Sequence, residues 1–234
     1  MIQTSESLLT VDCGATKRLI KQGFLSLGAE PSMCDGLFLT HSHIDHIKSV
    51  RLFKGVKTYA TFDVLDRHAD VEIVPYEPIH LKDVTITPLA LSHDSPDTVG
   101  YVFEADGEKL VMVTDTGYVS TTNRAYIRNA DYYIFESNHD VDMLMKTNRP
   151  MHLKYRILGD NGHLCNEDCA SVLCDVIGDN TKQIFLAHLS EEANTRELAY
   201  RALTKEMGRR NLPMHHLRIE ALAQFETVHG GNHD

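Results

Sequence analysis

Residues 40 to 47 read Thr-His-Ser-His-Ile-Asp-His-Ile, directly after the apolar run Gly36-Leu37-Phe38-Leu39. Three histidines and an aspartate within six positions, at the mouth of a strand, restrict what the chain can fold into. A lone buried histidine is satisfied by ordinary hydrogen bonds. Three imidazoles and a carboxylate desolvated together are costly unless a cation compensates them. The segment predicts a metal site, with a polar surface turn as the plain alternative.

The chain has 234 residues, enough to bury a substantial core, and is expected to form one α/β domain over residues 1–234. Neither a membrane-length apolar run nor a basic segment followed by an apolar stretch at the N-terminus occurs. The five cysteines form no CxxC pair, so they are read as reduced thiols of a cytoplasmic protein. Cys165, Cys169 and Cys174 lie in or beside an expected helix, where packing explains them better than a zinc knuckle. The net charge of −10 argues against a broadly basic nucleic-acid surface. Bound divalent cations would offset part of that charge locally. The run Lys146 to Arg156 carries four basic residues and no acidic one. It is expected to be a solvated face, with a phosphate-tracking patch as the alternative.

Apolar patterning predicts alternating strands and helices without repeats or linkers. Strands are expected over 8–12, 36–40, 56–60, 84–92, 99–104, 109–114, 131–136, 183–187 and 216–225. Residues 105–108 (Ala-Asp-Gly-Glu) form a hairpin turn between two of them. Helices are expected over 15–27, from Asp45, over 166–177 with Asn166 as cap, and over 195–208.

Other metal-ligand types recur at one placement. His93 follows Leu91-Ser92, Asp115 follows Val113-Thr114, and His188 follows Leu186-Ala187. Each stands where an apolar strand runs out, as His41 does. Any one alone would be an ordinary turn residue. Together, strand ends on a rigid sheet can assemble a defined polar constellation. His41, His43, Asp45, His46, His93, Asp115 and His188 exceed what one closed zinc site uses and fit two cations with a shared carboxylate. His41 and His43 are expected to reach one side, with Asp45 and His46 facing the other.

His41-Ser42-His43-Ile44-Asp45-His46 resembles the HxHxDH motif of the metallo-β-lactamase fold, and His93, Asp115 and His188 follow in that family's order. The resemblance implies a four-layer αβ/βα sandwich. His41, His43 and His93 would hold one metal, Asp45, His46 and His188 the second, and Asp115 would bridge them. Asp12 would orient a ligand histidine from behind. Phe135 to Asp140, Gly159 to Asp168 and Leu186 to Ser190 are similar to the YycJ/WalJ-like group, related to ribonuclease Z and the β-CASP nucleases. That likeness covers nearly the whole chain. Chains of this group begin with an extra strand and a Ser/Gly-rich turn, so the first strand is expected to be missing or shortened here. The stretch from His93 to Asp115 is too short for the tRNA-gripping arm of ribonuclease Z.

The implied activity is a DNA exonuclease working 5′ to 3′, with a hydroxide bridging two metals as nucleophile. DNA is favoured over RNA as substrate. By this likeness His163 is the general acid that protonates the departing oxygen, Asp45 belongs to the catalytic set, and Glu136 orients His163 or the water. Zinc, manganese or iron would suit the all-N/O donors. A thioesterase or lactonase on the same core is the runner-up, although it has little use for His163 or the basic run. A flavo-diiron oxidoreductase is disfavoured because that class has an acid where His43 stands. A binding module is disfavoured because no ligand position is lost.

Overall fold

The computed structural model describes residues 1–64, 69–213 and 216–231. The chain folds as two compact units. One comprises residues 1–90, 95–99 and 103–107, and the other residues 91–94, 100–102 and 108–234.

The first unit contains a five-stranded sheet in chain order: β1 (Ile2–Gln3), β2 (Leu8–Val11), β3 (Gly36–Phe38), β4 (Thr58–Ala60) and β5 (Val71–Glu72). The first of these is a two-residue edge strand pairing antiparallel with β2. The pairs β2–β3, β3–β4 and β4–β5 are parallel. Parallel neighbours need crossovers. Helix α1 (Lys17–Leu25) lies between β2 and β3, and the short helix α2 (Ile44–Ile47) and a 3-10 turn (Val50–Phe53) lie between β3 and β4. Alternation along β3 sorts the side chains. Leu37 and Leu39 enter a core with Phe24, Phe53 and Val56, where the Phe24 and Phe53 rings meet edge to face at 5.9 Å. Phe38, between them, stacks on Tyr59 with centroids 4.6 Å apart. Burying each of these side chains fully is worth about 1.5–3 kcal/mol.

The second sheet has the order β12-β11-β10-β9-β8-β7-β6. Its strands are β6 (Ile79–Leu81), β7 (Val84–Ala90), β8 (Val99–Ala105), β9 (Glu108–Val113), β10 (Tyr132–Glu136), β11 (Gln183–Ala187) and β12 (Arg218–Ala221). Asp106 and Gly107, between β8 and β9, have φ of 54° and 77°, the left-handed pair a two-residue hairpin turn requires. Strands β9 to β12 pair in parallel. Between β9 and β11 the chain forms α3 (Thr121–Ile127), α4 (Val141–Lys146), α5 (Met151–Leu158) and α6 (Asn166–Val176). Helix α7 (Arg196–Arg209) precedes β12. Cys169, Leu173 and Val176 of α6 and Ala199, Leu203 and Met207 of α7 are buried, at the three- and four-residue spacing of one helix face.

Several expectations shift on the structure. The helix from Asp45 is a single turn, and the closing strand covers only residues 218–221. The cap of α6 is Cys165, whose sulfur accepts from the Asp168 N–H, rather than Asn166. Asn166 is buried and its amide is committed to Ser137 and Asn194. The basic run is not simply a solvated face. Lys154 is only 5% exposed, and its ammonium donates to the carbonyls of Met145 and Thr147, closing the C-terminal end of α4. Among the described residues no helix is long and apolar enough to cross a membrane.

Gly14 joins this scaffold to the histidine-rich turn. A Cβ there would lie 1.3 Å from the carbonyl oxygen of Asp45, so only glycine lets the segment after β2 pass α2. Gly14→Ala should lower stability by about 2 kcal/mol or more, read by urea unfolding. An unchanged midpoint and slope would contradict this packing.

Candidate metal centre

In the first unit the imidazoles of residues 41, 43 and 46 cluster. The His41 ring lies 4.6 Å from that of His43 and 4.0 Å from that of His46, centroid to centroid. The His46 ring, carried on α2, thus packs beside that of His41. The Asp45 side chain is exposed, with Oδ2 4.0 Å from His46 Nε2.

Behind the rings sits Asp12, which leaves β2 with φ of 55°. Its carboxylate accepts from the Thr40 N–H (2.9 Å), from the Thr40 hydroxyl (2.8 Å) and from His46 Nδ1 (2.7 Å). A carboxylate only accepts, so Nδ1 of His46 carries the proton and Nε2 the lone pair. The Thr40 hydroxyl, having given its proton to Asp12, accepts from His41 Nδ1 at 2.9 Å. That fixes the same tautomer in His41. Asp12 and Thr40 together thus fix the rings of His46 and His41.

In the second unit the organising group is Glu136, the last residue of β10, with no exposed surface. Oε1 accepts from His163 Nδ1 at 2.8 Å and from His188 Nδ1 at 2.7 Å. Oε2 accepts from the backbone N–H groups of Thr116 (2.9 Å) and Leu164 (3.3 Å). Burial alone would raise the carboxyl pKa, but the hydrogen bonds and charge of His163 and His188 outweigh it and hold it below the usual range. Four donors fill the acceptor capacity of one carboxylate. Glu136 thus holds both imidazoles through Nδ1, with each of its oxygens taken by two donors.

His93 Nδ1 donates to the Gly162 carbonyl at 3.2 Å. Its Nε2 lies 3.2 Å from Asp94 Oδ1 and 3.9 Å from Asp115 Oδ1. Burial, ahead of neighbouring charges, lowers the pKa of His93, keeping it neutral as a ligand must be. Asp115 Oδ1 is also 3.4 Å from His188 Nε2, so this carboxylate stands between the lone-pair nitrogens of two histidines. Asp115 and His188 leave their strands with φ of 62° and 57°. Left-handed backbone is uncommon outside glycine, and at strand ends it re-aims a side chain out of the strand's alternation.

These donor atoms fit divalent cations. Asp115, Glu136, His163 and His188 can bring one donor atom each within 4.8 Å of the others. Part of that closeness is the hydrogen-bonded fan around Glu136. The stronger indication is the tautomer set: His41, His46, His93, His163 and His188 all bond through Nδ1 to an oxygen, the usual support of metal-bound imidazole, and Nε2 of His93 and of His188 faces Asp115.

Two further parts of the site escaped sequence reasoning. Asn138 Nδ2 donates to the His188 carbonyl at 2.8 Å, holding that left-handed residue. Behind it, Asn166 and Asn194 exchange reciprocal amide bonds at 2.9 Å, while Asn194 also donates to the carbonyls of Ser137 and Asn138. Polar residues clustered in Ser137-Asn138 and Asn166 were the only signal, and Asn194 gave none.

The fold and these strand-end donors define a class. A profile of the Beta-lactamase superfamily domain matches residues 9–189, and the chain belongs to that family. Exodeoxyribonuclease YycJ of Bacillus anthracis is 37% identical over 215 residues, covering 85% of this chain and 80% of that protein. Exodeoxyribonuclease WalJ of Streptococcus pneumoniae serotype 2 is 33% identical over 226 residues, covering 90% and 84%. Among solved structures, the metallo-beta-lactamase fold protein YhfI of Bacillus subtilis superposes with a TM-score of 0.67 at 16% identity, over 94% of this chain and 86% of that one. The chain is a metal-dependent hydrolase with the mixed α/β, two-sheet architecture of that fold.

Glu136→Gln removes the charge shared by His163 and His188. It should weaken divalent-metal affinity about 10–100-fold while the circular dichroism spectrum is retained. Competition with a chromophoric chelator measures this, and unchanged affinity would deny Glu136 its positioning role.

Proposed function

We propose that the chain is a dinuclear-metal-dependent phosphodiesterase that degrades DNA as an exonuclease in the 5′-3′ direction. The observation that carries this reading is His163 held through Nδ1 by buried Glu136, the carboxylate that also holds the metal-ligand candidate His188. The names of the two exodeoxyribonuclease relatives favour DNA as the substrate. In the proposed assignment, His41, His43 and His93 would hold one cation, Asp45, His46 and His188 would hold the other, and Asp115 would be shared. The place of Asp115 Oδ1 between Nε2 of His93 and of His188 supports the bridge.

Zinc, manganese or iron bound there would supply a nucleophile from water near neutral pH and offset charge on the phosphate. The chain's own residues do the rest. Asp12 and Thr40 keep His46 and His41 in the tautomer that presents Nε2. His163 takes a proton at Nε2, becoming an imidazolium stabilised by Glu136, and delivers it to the oxygen that leaves phosphorus. Uncharged at Nε2 afterwards, it returns to the state the Glu136 hydrogen bond selects.

His163→Ala should retain the metal content of the unaltered protein and lose about 100-fold or more in turnover. Metal analysis and digestion of end-labelled, 5′-phosphorylated DNA read both. Wild-type cleavage rate in a metal-replete variant would remove His163 from the reaction. The unaltered protein, given DNA, RNA, a thioester and a lactone in parallel, should act on DNA. Turnover of the thioester or lactone alone would instead make it a small-molecule hydrolase.

A further inference from the structure

Two clefts in the second unit meet at His163. The first, about 290 Å³, is lined by Asp94, Arg149, Leu153, Arg156, Ile157 and Gly162, with His163 at its wall. The second, about 430 Å³, includes Asn138, His188 and Gln224 and shares Arg149, Ile157 and His163 with the first. A groove therefore runs from the arginine side of α5, past the imidazole of His163, to His188.

We propose that Arg149 and Arg156 form a phosphate subsite in this groove, gripping a phosphate of the DNA strand other than the one being cut. The inference rests on the nuclease reading above and deepens it. Three observations carry it. The chain has a net charge of −10, so diffuse attraction does not hold a polyanion, and local cations must. Of the four basic residues in the run 146–156, Lys154 is spent on carbonyls within the fold, whereas Arg149 and Arg156 both line the cleft beside His163.

The third observation is how the two guanidinium groups are held. Arg149 Nε donates to Glu192 at 2.9 Å, and that carboxylate is 63% exposed. Arg156, itself 61% exposed, pairs with Asp94. Half-exposed ion pairs of this kind are weak and exchangeable. A phosphate accepts from the same planar donors, with more oxygens and more charge than a carboxylate. Asp94 Oδ1 is also 3.2 Å from His93 Nε2. An anion drawing Arg156 off Asp94 therefore acts one residue from the metal-ligand candidate His93. The subsite holds substrate rather than cation, so its loss should weaken DNA binding and leave the metals in place.

The test uses the metal-loaded full chain and a short fluorescent single-stranded oligonucleotide with cleavage-resistant phosphorothioate linkages, with binding read by anisotropy across a salt series. Arg149→Gln and Arg156→Gln should each weaken binding about tenfold. Each should also lower the slope of log affinity against log salt by about 0.7. With cleavable DNA, KM should rise with little change in kcat, as for lost uniform binding. Metal content and melting temperature should match the unaltered protein, which a merely structural role for either ion pair would not allow. Arg149→Lys and Arg156→Lys should restore most of the salt slope.

Running 5′-phosphorylated and 5′-hydroxyl oligonucleotides in parallel locates the phosphate. A loss confined to the first supports a grip on the terminal monoester, and an equal loss in both supports an internal diester. Binding and salt slope unchanged in both glutamine variants, with the unaltered protein binding DNA, would overturn the subsite alone. An unaltered protein that binds neither oligonucleotide would overturn the subsite and the nuclease reading together.

Discussion

A carboxylate with no exposed surface is among the most expensive groups to bury, and Glu136 is tolerable only because four donors converge on it. That requirement fixes much around it. The N–H of Thr116 ties Glu136 to the segment after β9, the N–H of Leu164 ties it to the turn before α6, and two imidazoles are drawn in from residues 163 and 188. Removing one donor strands charge in the interior. The same hydrogen bonds decide chemistry, because each Nδ1 that donates to Glu136 leaves its ring with the lone pair at Nε2. One buried group thereby sets both local structure and the protonation pattern of the candidate centre.

Backbone strain also occurs beside the candidate donors. Asp12, Asp115 and His188 each leave a strand in the left-handed region, where a non-glycine residue is uncommon and adverse by about 1–3 kcal/mol. All three lie where β2, β9 and β11 end. Two are visibly held by neighbours: the Asp12 carboxylate by the Thr40 backbone, and the His188 carbonyl by Asn138. Such residues persist when surrounding contacts over-determine them. Sheet strands of Val, Ile, Leu and Phe supply the rigidity, and the polar residue just past each strand takes up the unfavourable turn.

Much of this was legible in the sequence because the informative signals are local. Apolar runs at 8–11, 36–38, 84–90, 109–113 and 183–187 declare strands. HxHxDH and the recurrence of His or Asp after such runs point to the candidate donors. What escaped depends on partners far apart in the chain. Nothing near Glu136 says that it turns to His188 as well as to His163. Lys154 looks like a surface charge until the fold brings the end of α4 to it. Asn166 resembles a helix cap until Asn194 claims its amide, and Cys165 takes the position instead. Helices α3 to α5 and the short strands β1, β5 and β6 carry too few residues for periodicity to show.

The account depends on donors from separate strand ends acting as one dinuclear set, and counting metal is its most direct test. Reconstitution with manganese or zinc, followed by mass-spectrometric metal analysis of the full chain, should give two ions per chain. His43→Ala and His188→Ala should each reduce that to one. A single ion in the unaltered protein, or two ions retained in both variants, would contradict the assignment.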